Sequence, residues 1–441
     1  MNKIVPIFFL LITASCHTPV EQKGLEITNK EAIDSTVNLF VDGEHYPFLY
    51  TRLEDKDGEV LYEHTAKNNR LLGDQKIDGD TWIRVWSMSK IVTICIALDL
   101  MEDGLLNLDD PVTKYIPEFS QLQVALTADS NSLIGTNWYA EDSSRSAPCP
   151  LIYIPNDSVM TIRHLLDHKA GFYYSTASRI SWPNSIHCLD SMMTSQDICS
   201  SMNGEDLITK LSTLPLMQNS GTDYFYGLNT TVLGLVAERA SGRSLAQLLK
   251  ERVTDPMQIK GMRYDLPEGE TMLPRFCGKD SLLREAKAGE LNIFGHNIPD
   301  YEPAHELYLG GEGMICTADG YCDFLRMLLN NGELNGYRML NPETIADLTS
   351  PHTQLDNPYG HNGYNLWVSS DSMRLKGQGD QNLWIGGGYE GTHFWIDTSR
   401  NFVGTIMTQL YWVYDGAFGY TKDGRIRGEI YKPWTGYAFK N

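Results

Sequence analysis

The chain has 441 residues, 42% of them hydrophobic and 21% charged, a globular composition with room for one large domain or two ordinary ones. Its 36 Lys and Arg against 56 Asp and Glu leave a formal net charge of −20, which argues against nucleic acid and anionic membrane surfaces as partners. There is no basic cluster, internal repeat or low-complexity tract.

Residues 1–15 read as a signal peptide. Lys3 is the only charge before Glu21, and Ile4 to Ile12 is an apolar run too short to span a bilayer. Thr13-Ala14-Ser15-Cys16 follows, and small residues ahead of a cysteine resemble a bacterial lipobox, in which Cys16 is lipidated and becomes the mature N-terminus. Thr13 stands where lipoboxes usually carry Leu, Val or Ile, so ordinary signal-peptidase cleavage is the alternative. The expectation is an exported protein, periplasmic or at the cell surface, touching a membrane only through a lipid on Cys16. Residues 16–28 form a polar linker, and 29–441 a single domain. Export permits disulfides, and a bridge among Cys149, Cys188 and Cys199 is expected without a readable pairing. No CxxC occurs and the histidines are not spaced as ligands, so neither a metal nor another cofactor is expected.

Phe48-Leu49-Tyr50 and Val60-Leu61-Tyr62-Glu63 predict paired strands around a turn-rich Glu54 to Gly58. Thr81 to Trp86 reads as the end of a strand, and the apolar run Ile91 to Met101 as a buried helix ending near Gly104. Residues 124–160 read as a long loop or insertion, and 176–204 as polar and irregular. Helices are expected from Thr161 to Leu166, Glu205 to Thr213, Thr230 to Ala240 and Leu245 to Val253. Another runs from an N-cap at Thr317 to Leu329. His393 to Asp397 and Phe402 to Met407 predict a hairpin. Strands at both ends with helices between predict an α+β fold: one antiparallel sheet built from the two termini and flanked by helices, with a mostly helical region, about 116–300, inserted.

Ser87-Met88-Ser89-Lys90 is the only place where a serine stands three positions before a lysine. Ser87 falls at a helix N-terminus, and residues at i and i+3 share a face, so Lys90 reaches the hydroxyl. The helix terminus favours negative charge on oxygen and, with burial, disfavours protonated lysine. A neutral Lys90 then takes the serine proton, as an acylating serine requires.

Four further segments carry a resemblance. They are Gly104-Leu105-Leu106-Asn107-Leu108-Asp109-Asp110-Pro111-Val112, Thr161 to Phe172, Gly310 to Asp319, and Asn341-Pro342-Glu343-Thr344. With Ser87 to Lys90 they make the chain resemble the serine β-lactamase and penicillin-binding superfamily, most closely the esterase-like branch of class C β-lactamase-related hydrolases. The resemblance implies a β-lactamase/transpeptidase-like fold and Tyr226 as the tyrosine of the family's Y-x-N motif, with Tyr224 as the alternative. Leu228 occupies the asparagine position, with Asn229 displaced by one. For the third motif the chain has no K-[ST]-G, and His361-Asn362-Gly363 reads as a loop before a strand. The matching segment is Trp384 to Thr392, resembling the esterase-like W-G-G pattern. It places Gly386, or Ile385 on a one-residue shift, at the position of the missing cation, followed by Gly387 and Gly388. The oxyanion hole is expected from the backbone N–H groups of Ser87 and Tyr389.

These readings imply an enzyme, a serine hydrolase working through an acyl-enzyme, most simply on carboxylic esters. Its partners would be small-molecule ester, amide or peptide substrates. A β-lactamase or cell-wall D,D-peptidase is the second reading. A surface-anchored binding protein that keeps the fold without turnover is the third.

Overall fold

The structure, a computed structural model, describes residues 27, 29–133, 150–174, 187–196, 198–277, 283–287, 301–354, 360–369 and 383–411. The signal peptide, Cys16, all of the linker but Ile27, Cys149 and the side chain of Cys199 lie outside the described residues.

Eight antiparallel strands form the main sheet. β1 (Phe48–Asp55) and β2 (Val60–Lys67) come from the N-terminal part. β3 (Thr353–Gln354), β4 (Gly360–Asn362), β5 (Trp367–Ser369), β6 (Leu383–Gly387), β7 (His393–Asp397) and β8 (Phe402–Met407) come from the C-terminal part. Their order is β3-β4-β5-β6-β7-β8-β1-β2. The two parts of the chain meet where β1 pairs with β8, Tyr50 opposite Met407 and Asp55 opposite Phe402. The predicted β7–β8 hairpin is present, and its turn is held by Asp397, whose carboxylate accepts from the N–H groups of Ser399 and Arg400.

Every residue of β7 and β8 is buried, so both faces of the sheet are covered at its centre. Helix α1 (Lys30–Asp42), N-capped by Asn29, packs on β1 and β2. Helix α7 (Ala318–Leu329), N-capped by Thr317 as expected, packs on β7 and β8, and its Tyr321 ring meets Phe394.

The inserted region centres on α2 (Ser89–Glu102), whose side chains are buried from Ser89 to Leu100. A helix apolar all round belongs inside a core. α3 (Ile162–Leu166) starts at a Thr161 capping box. α4 (His187–Gln196) and α5 (Gly204–Leu211) follow, and α6 (Asn229–Ser241) packs against both α2 and α3. α8 (Pro342–Leu348) precedes β3.

Three expectations are corrected. Residues 187–196 of the supposedly irregular stretch are helical, because polar side chains facing outward do not prevent a helix. The expected loop after 124 contains a strand pair, Gln123–Leu126 with Ile152–Pro155. His361 lies in the short strand β4 rather than a loop, its Nε2 2.9 Å from the Thr349 carbonyl. Cys188 is disulfide-bonded, while Cys95, Cys277, Cys316 and Cys322 are buried and take part in no disulfide. Among the described residues no helix is long and apolar enough to cross a membrane.

Candidate active site

Ser87 lies in a single 3-10 turn, Trp86–Met88, between the short strand Ile83–Arg84 and α2. Trp86 is fully buried with φ +46, a conformation a tryptophan adopts only when its surroundings impose it. The Tyr389 ring packs edge-on against it, with centroids 5.3 Å apart. Val85 N–H donates to the Met314 carbonyl, Met314 N–H to Ser89 Oγ, and the Tyr321 hydroxyl to the Met88 carbonyl. The turn carrying Ser87 is thus clamped from three sides.

Lys90 is one turn on and completely buried. Its Nζ donates to Ser87 Oγ at 3.1 Å, to the Gly311 carbonyl at 2.8 Å and to Glu312 Oε1 at 3.1 Å. Glu312 itself is 1% exposed and also accepts from the Tyr174 hydroxyl and from Thr231 Oγ1. This changes the electrostatic expectation for Lys90. Burial pulls its pKa down, but Glu312, helped by Tyr226, outweighs burial and holds it above the ordinary lysine value. Lys90 at rest is an ammonium, not the neutral amine that burial and the helix terminus alone would give. Sequence reasoning does not reach Glu312 and Tyr174. The available signal is a carboxylate standing inside a glycine run where the resembled motif has glycine.

The Tyr226 hydroxyl donates to Ser87 Oγ at 2.8 Å, and the Lys90 ammonium sits 5.1 Å from the centre of its ring. Tyr224 instead packs its ring on His168. Leu228, at the expected asparagine position, is a core residue. The displaced Asn229 is buried and turned away, donating to His168 Nδ1 and the Phe225 carbonyl. His168 stands at the histidine of the family motif that Thr161 to Phe172 resembles, but the sequence gives it no role. It is fully buried, and burial followed by the nearby Lys90 charge pushes its pKa down to about 3. Because Nδ1 also faces the Gly227 N–H, the ring proton belongs on Nε2, 3.4 Å from Thr230 Oγ1.

β6 runs past the turn carrying Ser87. A Cβ on Gly388 would come within 2.5 Å of the Val85 carbonyl, so only glycine lets the strand end approach this closely. Gly388 N–H donates to the Thr392 carbonyl and Gly391 N–H to the Gly388 carbonyl, closing a tight turn that carries Tyr389. Gly386, at the cation position, has the Phe394 ring where its Cβ would stand, and at Gly387 a Cβ would lie 2.6 Å from His393 Nδ1. Ile385 pairs with Trp395. Beneath the turn, Glu390 is fully buried, ion-paired with Arg275 at 2.8 Å. Gln409 bridges the turn to the strand before Ser87: its Nε2 donates to Glu390 at 2.8 Å, and its Oε1 accepts from the N–H and guanidinium of Arg84.

The structure therefore brings together Ser87, Lys90, Tyr226, Tyr389 and the Gly386–Gly388 strand, and adds Glu312, Tyr174 and His168. Among the described residues no three His, Cys, Asp or Glu side chains group as a metal site. A serine hydroxyl met by a buried ammonium and a phenol hydroxyl is an arrangement that acyl transfer to serine can use.

Comparison with known proteins agrees with the fold. The Beta-lactamase family model matches residues 56–411. Protein Rv1367c of Mycobacterium tuberculosis (strain ATCC 25618 / H37Rv) is 28% identical over 350 residues, covering 75% of this chain and 78% of the other. Lovastatin esterase of Penicillium rubens is 26% identical over 435 residues, covering 92% and 99%. Among solved structures, EstCE1, a hydrolase with promiscuous acyltransferase activity, superposes with a TM-score of 0.67 at 21% identity, covering 91% of this chain and 97% of the other.

Proposed function

The chain belongs to the Beta-lactamase family and is a serine hydrolase of it, and on that premise we propose that it hydrolyses carboxylic esters of small molecules through an acyl-enzyme on Ser87. One observation carries this reading. Lys90 and Tyr226 converge on Ser87 Oγ at 3.1 and 2.8 Å, while the strand position that binds a substrate carboxylate in β-lactam and D-alanyl peptide enzymes is occupied by glycine packed under Phe394. Losing such a charge-assisted hydrogen bond costs about 1.5–3 kcal/mol of binding to a carboxylate substrate and nothing to a neutral ester. The similarity to the Penicillium lovastatin esterase supports the same substrate class.

In this reading Ser87 Oγ attacks the carbonyl carbon while its proton enters the Lys90 and Tyr226 hydrogen bonds. The N–H groups of Ser87 and Tyr389 receive the oxyanion. Tyr226, closest to the nucleophile, delivers a proton to the departing alkoxide, and water then releases the acid by the same steps in reverse.

Location is part of the proposal: an exported protein held to a bacterial membrane by lipid on Cys16. Lys3, the short apolar run and Thr13-Ala14-Ser15-Cys16 support it, and the net charge of −20 speaks against any nucleic-acid partner. Replacing Cys16 by Ala in the expressing bacterium should then release the protein from the membrane fraction.

The test is hydrolysis of p-nitrophenyl butyrate by the purified protein beside Ser87→Ala, with nitrocefin and a D-Ala-D-Ala peptide run in parallel. Ester turnover that disappears in the variant is expected. Fast turnover of the β-lactam or the peptide in place of the ester would move the assignment to those substrates, and inertness towards all three would favour a binding protein.

A further inference from the structure

Three elements send hydrogen-bond donors to one buried carboxylate. Lys90 reaches Glu312 from α2, Thr231 from α6, and Tyr174 from the segment after α3. A carboxylate is not carried to 1% exposure without a charge partner, and here the partner is the lysine of the nucleophile itself. The nucleophile's surroundings lack something else. Both neighbours of Ser87 Oγ donate to it, Lys90 as an ammonium and Tyr226 through its hydroxyl, so neither is in a state to accept the serine proton.

Resting on the acyl-enzyme reading above, we propose that Glu312 is the terminal acceptor of the serine proton, acting through Lys90. As Ser87 Oγ bonds to the carbonyl carbon and the C=O pair moves to oxygen, the hydroxyl proton passes to Lys90 Nζ and an ammonium proton passes from Lys90 to Glu312 Oε1. Lys90 ends with the charge it began with. Glu312 becomes neutral, and its negative charge reappears on the oxyanion. When the intermediate collapses and the carbon–alkoxide bond breaks, Glu312 returns its proton to Lys90, which passes one through Tyr226 to the leaving oxygen. Both transfers span 3.1 Å: the Lys90–Glu312 hydrogen bond already points the way its proton goes, and once that proton has left, the amine turns its lone pair to the Ser87 hydroxyl. Glu312 touches neither Ser87 nor substrate, so it is a positioning residue whose effect runs through Lys90.

The other titratable groups around the pair do not compete for this role. Tyr174 and Tyr226 lay their rings 5.5 and 5.1 Å from Lys90 Nζ and act as donors. His168 is kept neutral by burial and lies behind Tyr226. Burial pushes the Tyr264 hydroxyl up, so it stays protonated near the Glu312 charge.

The test measures the rate at which a fluorophosphonate probe modifies Ser87 against pH, beside p-nitrophenyl butyrate kinetics, in wild type, Glu312→Gln and Tyr174→Phe. In Glu312→Gln the buried Lys90 has no counter-charge and must be neutral to act. The acid limb of both profiles then reports Lys90 itself, held below the ordinary lysine value by burial, and is expected to move up by at least about 1 pH unit, with KM nearly unchanged, at least about 10-fold lower kcat on that limb and most of the loss regained on the plateau above it. Tyr174→Phe, which strips one donor from the carboxylate, should move the limb the same way by less. A loss equal at every pH, or an unshifted limb, overturns the proposal. If Glu312→Gln does not fold, an unshifted limb in Tyr174→Phe overturns it alone. A wild type that labels at Ser87 yet cleaves no ester sinks only the ester assignment, and the labelling profiles still decide this proposal. A wild type that never labels overturns both.

Discussion

The imidazole of His168 lies flat against the phenol of Tyr226, with centroids 4.9 Å apart and planes inclined by 14°. The stack fixes the plane of the tyrosine whose hydroxyl meets Ser87, and it works only while the imidazole is uncharged, since Nδ1 is turned towards N–H groups of Asn229 and Gly227.

This arrangement makes stability depend on acid. The folded-state pKa of His168 is depressed to about 3, so below the ordinary value near 6.5 the unfolded chain binds a proton that the folded chain refuses. The contribution is complete above about pH 6.5 and is lost as pH falls towards 3, at up to about 1.4 kcal/mol per pH unit. Urea unfolding between pH 7 and 4 should show a shallower decline for His168→Gln than for wild type. Parallel declines would mean that His168 is not buried neutral.

Tyr226→Phe keeps the stack and deletes the hydroxyl. The expected result is a kcat lower by about 10²–10⁴ with KM little changed, because the lost contact is with the nucleophile and the leaving group rather than with bound substrate. The unfolding midpoint should stay near that of wild type. An equal loss from Tyr224→Phe with Tyr226→Phe harmless would reverse the assignment of the two tyrosines.

Gly386 explains why the missing cation cannot simply be restored. Even the Cβ of alanine would overlap the Phe394 ring, so Gly386→Ala should destabilise by about 1–3 kcal/mol. Gly386→Lys is expected to be worse and to bring no nitrocefin hydrolysis. A stable Gly386→Lys protein that gained β-lactamase activity would show that the strand is free to accept the charge.

Glu390→Gln removes the carboxylate from a buried set containing Arg275 and Arg84, the latter already pushed down by burial despite Glu390. Taking one partner from a buried pair costs about 3–5 kcal/mol, and calorimetry should register a lowered Tm of that order. Because Gln409 ties this set to the strand before Ser87, kcat should fall as well. Retained stability would indicate that Arg275 finds another partner.

Much of this is legible in the sequence because it depends on local pattern. The apolar run after Lys90 specifies a helix buried all round, and the alternation at His393 to Met407 specifies a hairpin; both stand as expected. Ser87 and Lys90 emerge from a spacing that puts them on one helix face, and Tyr226 from the family motif the chain resembles. Glu312 does not, because its meaning comes from Lys90, 222 positions away, and from Tyr174 and Thr231 on other elements. The protonation of Lys90 escapes a sequence reading for the same reason: burial and helix polarity are local properties, whereas the counter-ion arrives through tertiary folding. The segment 176–204 errs in the opposite direction, polar composition masking a surface helix.

The pairing of β1 with β8 has a consequence for synthesis. A ribosome makes Ser87, Lys90, Tyr226 and Glu312 first, but the strand carrying Gly386 and the turn carrying Tyr389 come late, and Gln409, which ties that turn to Arg84, later still. Low-separation contacts form early and distant pairings wait for the whole chain. A product stopped before residue 383 would carry Ser87, Lys90, Tyr226 and Glu312 without the strand and turn that face them, so loss of this late stretch is expected to abolish activity rather than to lower it.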